Sequence, residues 1–367
     1  MRIAINCRSI LKKHLTGIGR NTFHLLDYLG RIDHANKYLL YSPKRLFDFK
    51  RRFPQFSYPN FSIKQDVFGL GPSRCVGPHD VYHIPSPGAV PDHKAPVVVT
   101  VHDLIYKMHP QSHTPETIAL TECYMQDITA KAAKIICVSE STRRDLHHFF
   151  DLPQERSCVV YNGVDHDRFF LLSEKQKVKA IRVLADKGVE GPFLLCVGTI
   201  EPRKNLPNVL KALAVLRQKK QFTGKLVVIG TGGWMMEEIK PLIRKLGIEA
   251  QVLFLGYVQD EELCYYYNLC DAFIYPSFYE GFGFPIVEAF CCGAAVVTSN
   301  VSSCPEIAGE AALTVDPTDE MAIAATLASL VQDNALRKSL QAKALLRGKK
   351  FSFLKTATET LNVYRSI

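Results

Sequence analysis

The 367-residue chain has no apolar run reaching the ~18–20 residues that a membrane-spanning helix needs, which excludes an integral helical membrane protein. It has no C-x-x-C pair and no histidine at zinc spacing from a cysteine, so structural zinc motifs are excluded as well. There is no low-complexity stretch and no repeat beyond two similar halves. No room is left for a signal peptide, because residues 1–6 already read as a first strand, and a cytoplasmic location is expected. The eleven cysteines then read as reduced thiols. Cys137, Cys196 and Cys270 lie among apolar strand-like or helical residues, and packing accounts for the adjacent Cys291-Cys292 as well as a redox role does.

What is present is apolar enough for a folded protein, with 47% hydrophobic residues, and too long for one ordinary core. The net charge of +9 is unevenly placed. Residues 1–180 hold 25 Lys/Arg against 17 Asp/Glu, a balance of +8, and the rest hold 20 against 19. All 12 histidines lie at or before His166. A basic first half suits an anionic partner such as a phospholipid surface or a phosphorylated acceptor, and reads equally as a solvated face with no partner.

Strand-like and helical stretches alternate along the chain. Residues 3–7, 38–41, 81–84, 97–101 and 135–138 read as strands of the first half, with helices over 19–31, 115–133 and 140–149. In the second half the strands fall at 193–197, 226–229, 252–255, 272–275, 295–298 and 313–315. Helices are predicted near 205–219, 234–246, 260–270, 284–292 and 303–308, with three more after Asp319. Fully apolar strands alternating with amphipathic helices imply parallel sheets covered on both faces, hence an α/β chain of two doubly wound domains. Asn162-Gly163-Val164-Asp165 is turn chemistry, and a charged helical stretch over 172–187 precedes the next strand. The predicted division is 1–170, 171–352 and a terminal helix 353–367.

Chemistry concentrates where strands end. Gly17 and Gly19 follow strand 1 at a helix start, a weak phosphate-loop signal without an acid at the end of strand 2. His102-Asp103 ends an apolar strand, where ligands of open parallel sheets bind; the histidine could donate to a hydroxyl or be satisfied by loop carbonyls. After residues 193–197 come Gly198-Thr199 and Arg203-Lys204 at a helix start, two cations that oppose the helix dipole and call for an anion. After residues 272–275, Glu280 and Glu288 bracket Gly281-Phe282-Gly283-Phe284-Pro285, carboxylates for hydroxyls beside backbone amides for oxyanions. Asp165-His166-Asp167 matches a metal-holding D-x-D pattern but lies in a turn far from these cations. Gly230-Thr231-Gly232-Gly233 reads as a loop lying against a ligand rather than a dinucleotide site. Between Lys44 and Phe53, cations and aromatics mix, fit either for an anionic membrane or for a solvated face.

In this order, Gly17-Ile18-Gly19, His102-Asp103, Val138-Ser139-Glu140-Ser141, Asn162-Gly163-Val164-Asp165, Gly198-Thr199 with Arg203-Lys204-Asn205, Gly256-Tyr257-Val258 and Glu280 to Glu288 resemble glycosyltransferase family 4. The resemblance covers essentially the whole chain. It implies the GT-B fold: two Rossmann-like domains facing a central cleft, the first for the acceptor and the second for a nucleotide-sugar, with the C-terminal helix crossing back to the first. It further implies a retaining hexosyltransferase. Arg203 and Lys204 would hold the donor diphosphate, with Gly17, Gly19 and Gly198 beside it. Tyr257-Val258 would lie along the base, Glu288 would take the ribose, and Glu280 the sugar 3- and 4-hydroxyls. Gly281, Phe282, Gly283 and Phe284 would fix the sugar through backbone amides, and His102 would contact it near the reaction centre. His102, Glu280, Arg203 and Lys204 form the implied catalytic set, with no metal, no other cofactor and no nucleic-acid partner expected.

The resemblance is strongest to mannosyl- and rhamnosyltransferases of surface polysaccharide or lipopolysaccharide assembly, which implies GDP-mannose as donor and a saccharide or lipid-linked acceptor. UDP-, dTDP- and ADP-sugars remain alternatives, as do a nucleotide-sugar epimerase and a non-catalytic binder. An epimerase would need an acid–base pair around the sugar C2, and the sequence offers none. A binder predicts a lost site residue, whereas Arg203, Lys204, Glu280 and Glu288 are all in place.

Overall fold

The computed structural model describes residues 1–11, 15–43, 53–92, 94–232 and 236–367, with only the backbone of Asp260. The chain forms two compact units, Met1–Gly163 with Ser352–Ile367 as unit 1 and Val164–Phe351 as unit 2. This division falls at 163/164, ahead of the 170/171 read from sequence. Phe169 stacks edge-on against Tyr267 at 6.0 Å, and the Phe170 carbonyl accepts from Asn268 Nδ2 at 3.0 Å, so these residues pack with unit 2.

Unit 1 contains β1 (Arg2–Asn6), β2 (Lys37–Ser42), β3 (Phe61–Gln65), β4 (Val81–Ile84), β5 (Val97–Val101), β6 (Lys134–Cys137) and β7 (Ser157–Val159). They form one sheet, β3-β2-β1-β4-β5-β6-β7, with every neighbouring pair parallel. Its helices are α1 (Gly17–Ile32), α2 (Pro72–Cys75), α3 (Ile105–Met108), α4 (Pro115–Lys131) and α5 (Glu140–Phe149). The sequence reading omitted β3 and β7 for physical reasons. β3 is an edge strand with no buried residue, and β7 has only three residues, so neither carries the apolar run that marks the central strands.

Unit 2 opens with α6 (Glu174–Asp186), started by a capping box between Ser173 and Gln176. Its strands are β8 (Phe193–Val197), β9 (Lys225–Ile229), β10 (Val252–Gly256), β11 (Ala272–Tyr275), β12 (Val296–Ser299) and β13 (Ala312–Val315). The order β10-β9-β8-β11-β12-β13 is again wholly parallel. Helices α7 (Leu206–Gln218), α8 (Met236–Leu246), α9 (Asp260–Leu269), α10 (Phe284–Cys291), α11 (Cys304–Ala308), α12 (Glu320–Gln332) and α13 (Asn334–Gly348) complete it. One face of this sheet packs Leu194, Leu226 and Ile274 against Leu210 and Leu213 of α7 and Leu327 of α12.

The last helix, α14 (Phe353–Arg365), belongs to unit 1, so the chain crosses back as the family resemblance implied. Alternate residues of the unit 1 strands face two separate cores. Ala4, Tyr82 and Val99 meet Met125 and Ile128 of α4. Ile3, Ile5 and Val98 on the other face meet Leu25 and Leu29 of α1 together with Leu361 and Tyr364 of α14. Gly163 sits so close to the start of α14 that a Cβ there would lie 2.3 Å from the Phe353 amide nitrogen. Among the described residues, no helix is long and apolar enough to cross a membrane.

Candidate functional site

In unit 2 the chain leaves β8 toward β9 and leaves β11 toward β12, on opposite sides of the sheet. The carboxyl ends of β8 and β11 therefore open a crevice between them, the place where open α/β sheets receive ligands. Two segments meet there. Residues 198–205 follow β8 and residues 276–283 follow β11.

Gly198 has φ 143° and Gly230, after β9, has φ 150°. A Cβ on Gly230 would stand 2.0 Å from the Gly198 carbonyl oxygen, so glycine at 230 is required by backbone meeting backbone. The ligand-lying role read for this glycine run is not needed to explain Gly230, and Gly233 lies outside the described residues. Arg203 and Lys204 occupy a short 3₁₀ turn, Pro202–Lys204, not the start of α7. Asn205 separates the two with a left-handed φ of 60°. Its buried Nδ2 donates to Pro276 O at 3.1 Å and Pro317 O at 2.6 Å, and Phe278 N donates to Arg203 O at 2.8 Å. These bonds fix the cation-bearing turn to the segment after β11.

The anion that the two cations call for is in the protein itself. Arg203 Nη1 lies 2.7 Å and Lys204 Nζ 2.6 Å from the same oxygen, Glu280 Oε1. Tyr275, the last residue of β11, donates its hydroxyl to that oxygen at 2.8 Å, and Lys204 Nζ stands 4.6 Å from the centre of its ring. Arg203 Nη2 pairs with Glu201 at 2.7 Å, and Nη1 also donates to Tyr279 O at 3.3 Å. The Glu280 backbone is clamped as well. Its N–H donates to Ser302 Oγ at 2.7 Å, and its carbonyl accepts from Ser302 and Ser303 hydroxyls at 2.5 and 2.9 Å.

Only 7% of Glu280 is exposed, and burial alone would raise its pKa. Arg203 and Lys204 outweigh that and bring it down to about 2, so the carboxylate is ionised and unsuited to carry a proton at neutral pH. Burial pushes Lys204 down, with Glu280 opposing the shift, whereas the Arg203 guanidinium is raised because Glu280, Tyr275 and Glu201 together outweigh its burial. Two cations and two carboxylates thus form a charge-balanced cluster on a rigid frame.

Glu288 sits just over a turn into α10, where Tyr267 donates to its Oε2 at 3.1 Å. Gly283 caps α10 with φ 93° and no side-chain cap. Gly281, Phe282 and Gly283 are buried, Phe284 is half-buried, and the Phe282 ring meets those of Phe284 and Phe351 at 5.2 and 5.7 Å. After β10, Tyr257 is 60% exposed while Val258 is buried. Unit 2 therefore brings Gly198, Arg203, Lys204, Glu280, Gly281, Phe282, Gly283, Phe284 and Glu288 into two tied segments and the helix that follows.

The remaining predicted residues lie in unit 1. Gly17 and Gly19 are inside the first turn of α1, not in a loop ahead of it, because Thr16 is the N-cap and accepts from Gly19 N. A Cβ on Gly19 would come within 2.7 Å of Ser9 O, so packing alone requires that glycine. His102 follows β5 with 7% exposure, and its Nε2 donates to Pro85 O at 2.8 Å. Burial lowers its pKa and the Pro85 carbonyl partly offsets this. Loop-carbonyl satisfaction is thus what the ring shows. Beneath it, His83 is fully buried between Tyr364 OH at 2.6 Å and Thr100 Oγ1 at 2.9 Å, and burial takes it down to about 3.

Sequence reasoning assigned no role to Tyr275, Glu201, Ser302, Ser303 or Tyr267. Tyr275 ends a predicted strand and Glu201 stands two residues before Arg203, and an ionisable neighbour beside a cation is the available signal. Nothing local marks the serines, which reach Glu280 from 22 and 23 residues away. The D-x-D histidine is used structurally: His166 Nε2 meets Phe351 O at 3.1 Å. No group of three His, Cys, Asp or Glu placed to hold a metal occurs among the described residues. The eleven cysteines are free thiols, Cys123 alone among them being exposed.

Comparison with known proteins bears on the family and the fold. The Glycosyl transferases group 1 family matches residues 179–347, and Glycosyltransferase Family 4 matches residues 16–168. O-antigen chain mannosyltransferase B of Escherichia coli is 30% identical over 97% of both chains. Serotype-specific mannosyltransferase WbdA of the same organism is 31% identical over 71% of this chain, which spans 32% of that longer protein. Among solved structures, a sucrose-phosphate synthase from Thermosynechococcus elongatus superposes with a TM-score of 0.78 at 18% identity, covering 100% of this chain and 98% of the other. WaaG, a glycosyltransferase involved in lipopolysaccharide biosynthesis, gives 0.74 at 15% identity with 99% of both chains covered. These two likenesses show the fold.

Proposed function

The chain belongs to the glycosyltransferases of group 1 and family 4, and from that premise we propose that it is a retaining mannosyltransferase using GDP-mannose to extend a surface polysaccharide on a saccharide or lipid-linked acceptor. The observation that carries the chemistry is the convergence of Arg203 and Lys204 on one oxygen of Glu280. Two largely buried cations on a fixed turn can stabilise a leaving diphosphate without reorganising at the moment of reaction. A diphosphate brings more charge than one carboxylate oxygen and displaces Glu280 from both cations. The freed carboxylate then takes the 3- and 4-hydroxyls of the sugar, while Glu288 takes the ribose.

In the transfer step the bond between the sugar C1 and the phosphate oxygen breaks and a bond from the acceptor oxygen to C1 forms on the same face. The acceptor's proton passes to a phosphate oxygen. Glu280 is a holder in this scheme, which suits a carboxyl brought down to about 2 by its cationic neighbours. Gly17, Gly19 and His102 of unit 1 serve the donor phosphate and the reaction centre, and unit 1 supplies the acceptor site. Its 23 Lys/Arg against 15 Asp/Glu, a balance of +8, support peripheral contact with the anionic cytoplasmic face of a membrane. Of the segment from Lys44 to Phe53, read from sequence for that contact, residues 44–52 lie outside the described residues.

Titration with GDP, UDP, dTDP and ADP tests the donor, GDP being expected to bind tightest; equal or weaker binding of GDP sinks the GDP-mannose assignment. A donor panel against total lipid and oligosaccharide extract tests transfer, with Glu280→Ala as control. Full transfer by that variant would overturn the site.

A further inference from the structure

Unit 1 holds one built feature that the transfer chemistry does not use. After the edge strand β3, the chain makes a tight loop whose tip is Phe68-Gly69-Leu70. Phe68 is 78% exposed, the highest value for a large apolar side chain among the described residues, and Leu70 is 53% exposed. This loop is held in shape. The buried Asp66 accepts from Leu70 N and Gly71 N at 2.8 Å each and from Tyr41 OH at 2.9 Å, and its own N–H donates to Ser42 O at 2.9 Å. Gly69 and Gly71 have φ 72° and 80°, left-handed values that favour glycine and turn the tip outward. A buried carboxylate that holds two apolar side chains out to water leaves their exposure without a structural reason among the described residues.

Charge says what covers them. At the base of this loop, exposed Arg8 acts on Tyr41 and half-buried Lys64 on Cys75, exposed Arg74 precedes Cys75 in α2, and the acid there, Asp66, is buried and fully engaged. Unit 1 as a whole carries a balance of +8. Apolar tips above a base that carries cations fit the interface of an anionic bilayer, where the tips reach the acyl boundary and the cations meet headgroups. Topology gives the placement a use. Every strand of the unit 1 sheet is parallel, so the loop after β3 and His102 after β5 leave the same carboxyl edge. Four strand spacings separate β3 from β5, about 19 Å.

We propose that Phe68 and Leu70 are the membrane-inserting tip of unit 1, seating the carboxyl edge of its sheet against an anionic bilayer where a lipid-linked acceptor is held. The inference rests on the peripheral-membrane part of the proposed function and names its anchor. Its test reads binding alone, so its failure leaves the transfer reading standing.

With the full chain in a Trp234→Phe background, Phe68→Trp places the single tryptophan at the tip. On adding vesicles of phosphatidylglycerol and phosphatidylethanolamine, the emission shifts to the blue and is quenched by acyl-brominated lipid, with little change on phosphatidylcholine alone. In parallel, Phe68→Ser with Leu70→Ser lowers the vesicle partition coefficient about tenfold or more in flotation, while the melting temperature and turnover of a water-soluble acceptor stay unchanged. Protein that floats while the tip tryptophan stays unshifted and unquenched overturns the proposal. So does a blue shift that appears without vesicles and grows with protein concentration, which would identify a second copy as the occupant.

Discussion

The two units share one construction, a wholly parallel sheet whose strand order reverses beside its first strand, yet they fill the reversal point differently. In unit 2 the carboxyl ends of β8 and β11 carry a buried cluster of two cations and two carboxylates. In unit 1, β4 and the end of β5 carry two neutral histidines bonded to Tyr364, Thr100 and Pro85. A charged cluster holds fixed cations that an anion can meet, whereas both nitrogens of the buried His83 and Nε2 of His102 are already bonded to neutral partners. One topology therefore carries a charged cluster in one unit and neutral hydrogen-bonded groups in the other, and the side chains in and after the strands decide which.

The sharpest break of that comparison is to remove the element unit 1 alone borrows from the end of the chain. Ending at Ser352 uncovers the part of one sheet face that α1 does not cover and deletes the buried Phe353, Leu361, Val363 and Tyr364. At about 1.5–3 kcal/mol for each side chain, the loss is on the order of 6–12 kcal/mol, comparable to the whole stability of a domain. Hydrogen exchange should show unit 1 amides exchanging at the unfolded rate while strands of unit 2 remain protected.

A smaller break falls on unit 2. Glu280→Ala leaves Lys204 without its carboxylate and Arg203 with Glu201 alone, with an expected cost of about 3–5 kcal/mol in denaturant unfolding of that unit. Adding GDP should restore part of the lost stability in the variant, since phosphate replaces the missing anion. Transfer should remain lost, because the sugar hydroxyls have no holder.

The mildest probe is pH, and the units should part company in acid. His83 binds its proton less readily folded, at about 3, than unfolded, near 6.5. Unit 1 thus has its full stability above about pH 6.5 and loses it progressively toward pH 3. Glu280 is held at about 2 against an ordinary 4.5, so the contribution of the cluster persists down to about pH 4.5 and fades toward pH 2. Melting followed by unit-specific hydrogen exchange between pH 7 and 4.5 should show unit 1 weakening first. Tyr364→Phe, which removes one partner of His83, should change that slope in unit 1 and leave unit 2 as it was.

Much of this was legible in the residues. The fully apolar strands of unit 2 were placed to within a residue, because burial on both faces leaves an unbroken apolar run. The paired glutamates, the adjacent cations and the glycines between them showed a site in the sequence, since each type has few reasons to stand where it does. What failed was half-exposed or long-range. The edge strand β3 has no buried residue to betray it, and Ser302 acts on Glu280 only after β12 has brought it back.

By itself, then, the sequence determined the parallel α/β class and the residue types at the site, because periodicity and side-chain chemistry are local properties, while the return of the last helix was implied by the family resemblance alone. The tertiary structure decided what those residues do to one another. It set Arg203 and Lys204 on a turn ahead of α7, gave them Glu280 as their anion, and turned His102 onto a loop carbonyl. The reason is physical: a charge acts through distance and burial, and both are fixed only when strands distant in sequence end side by side.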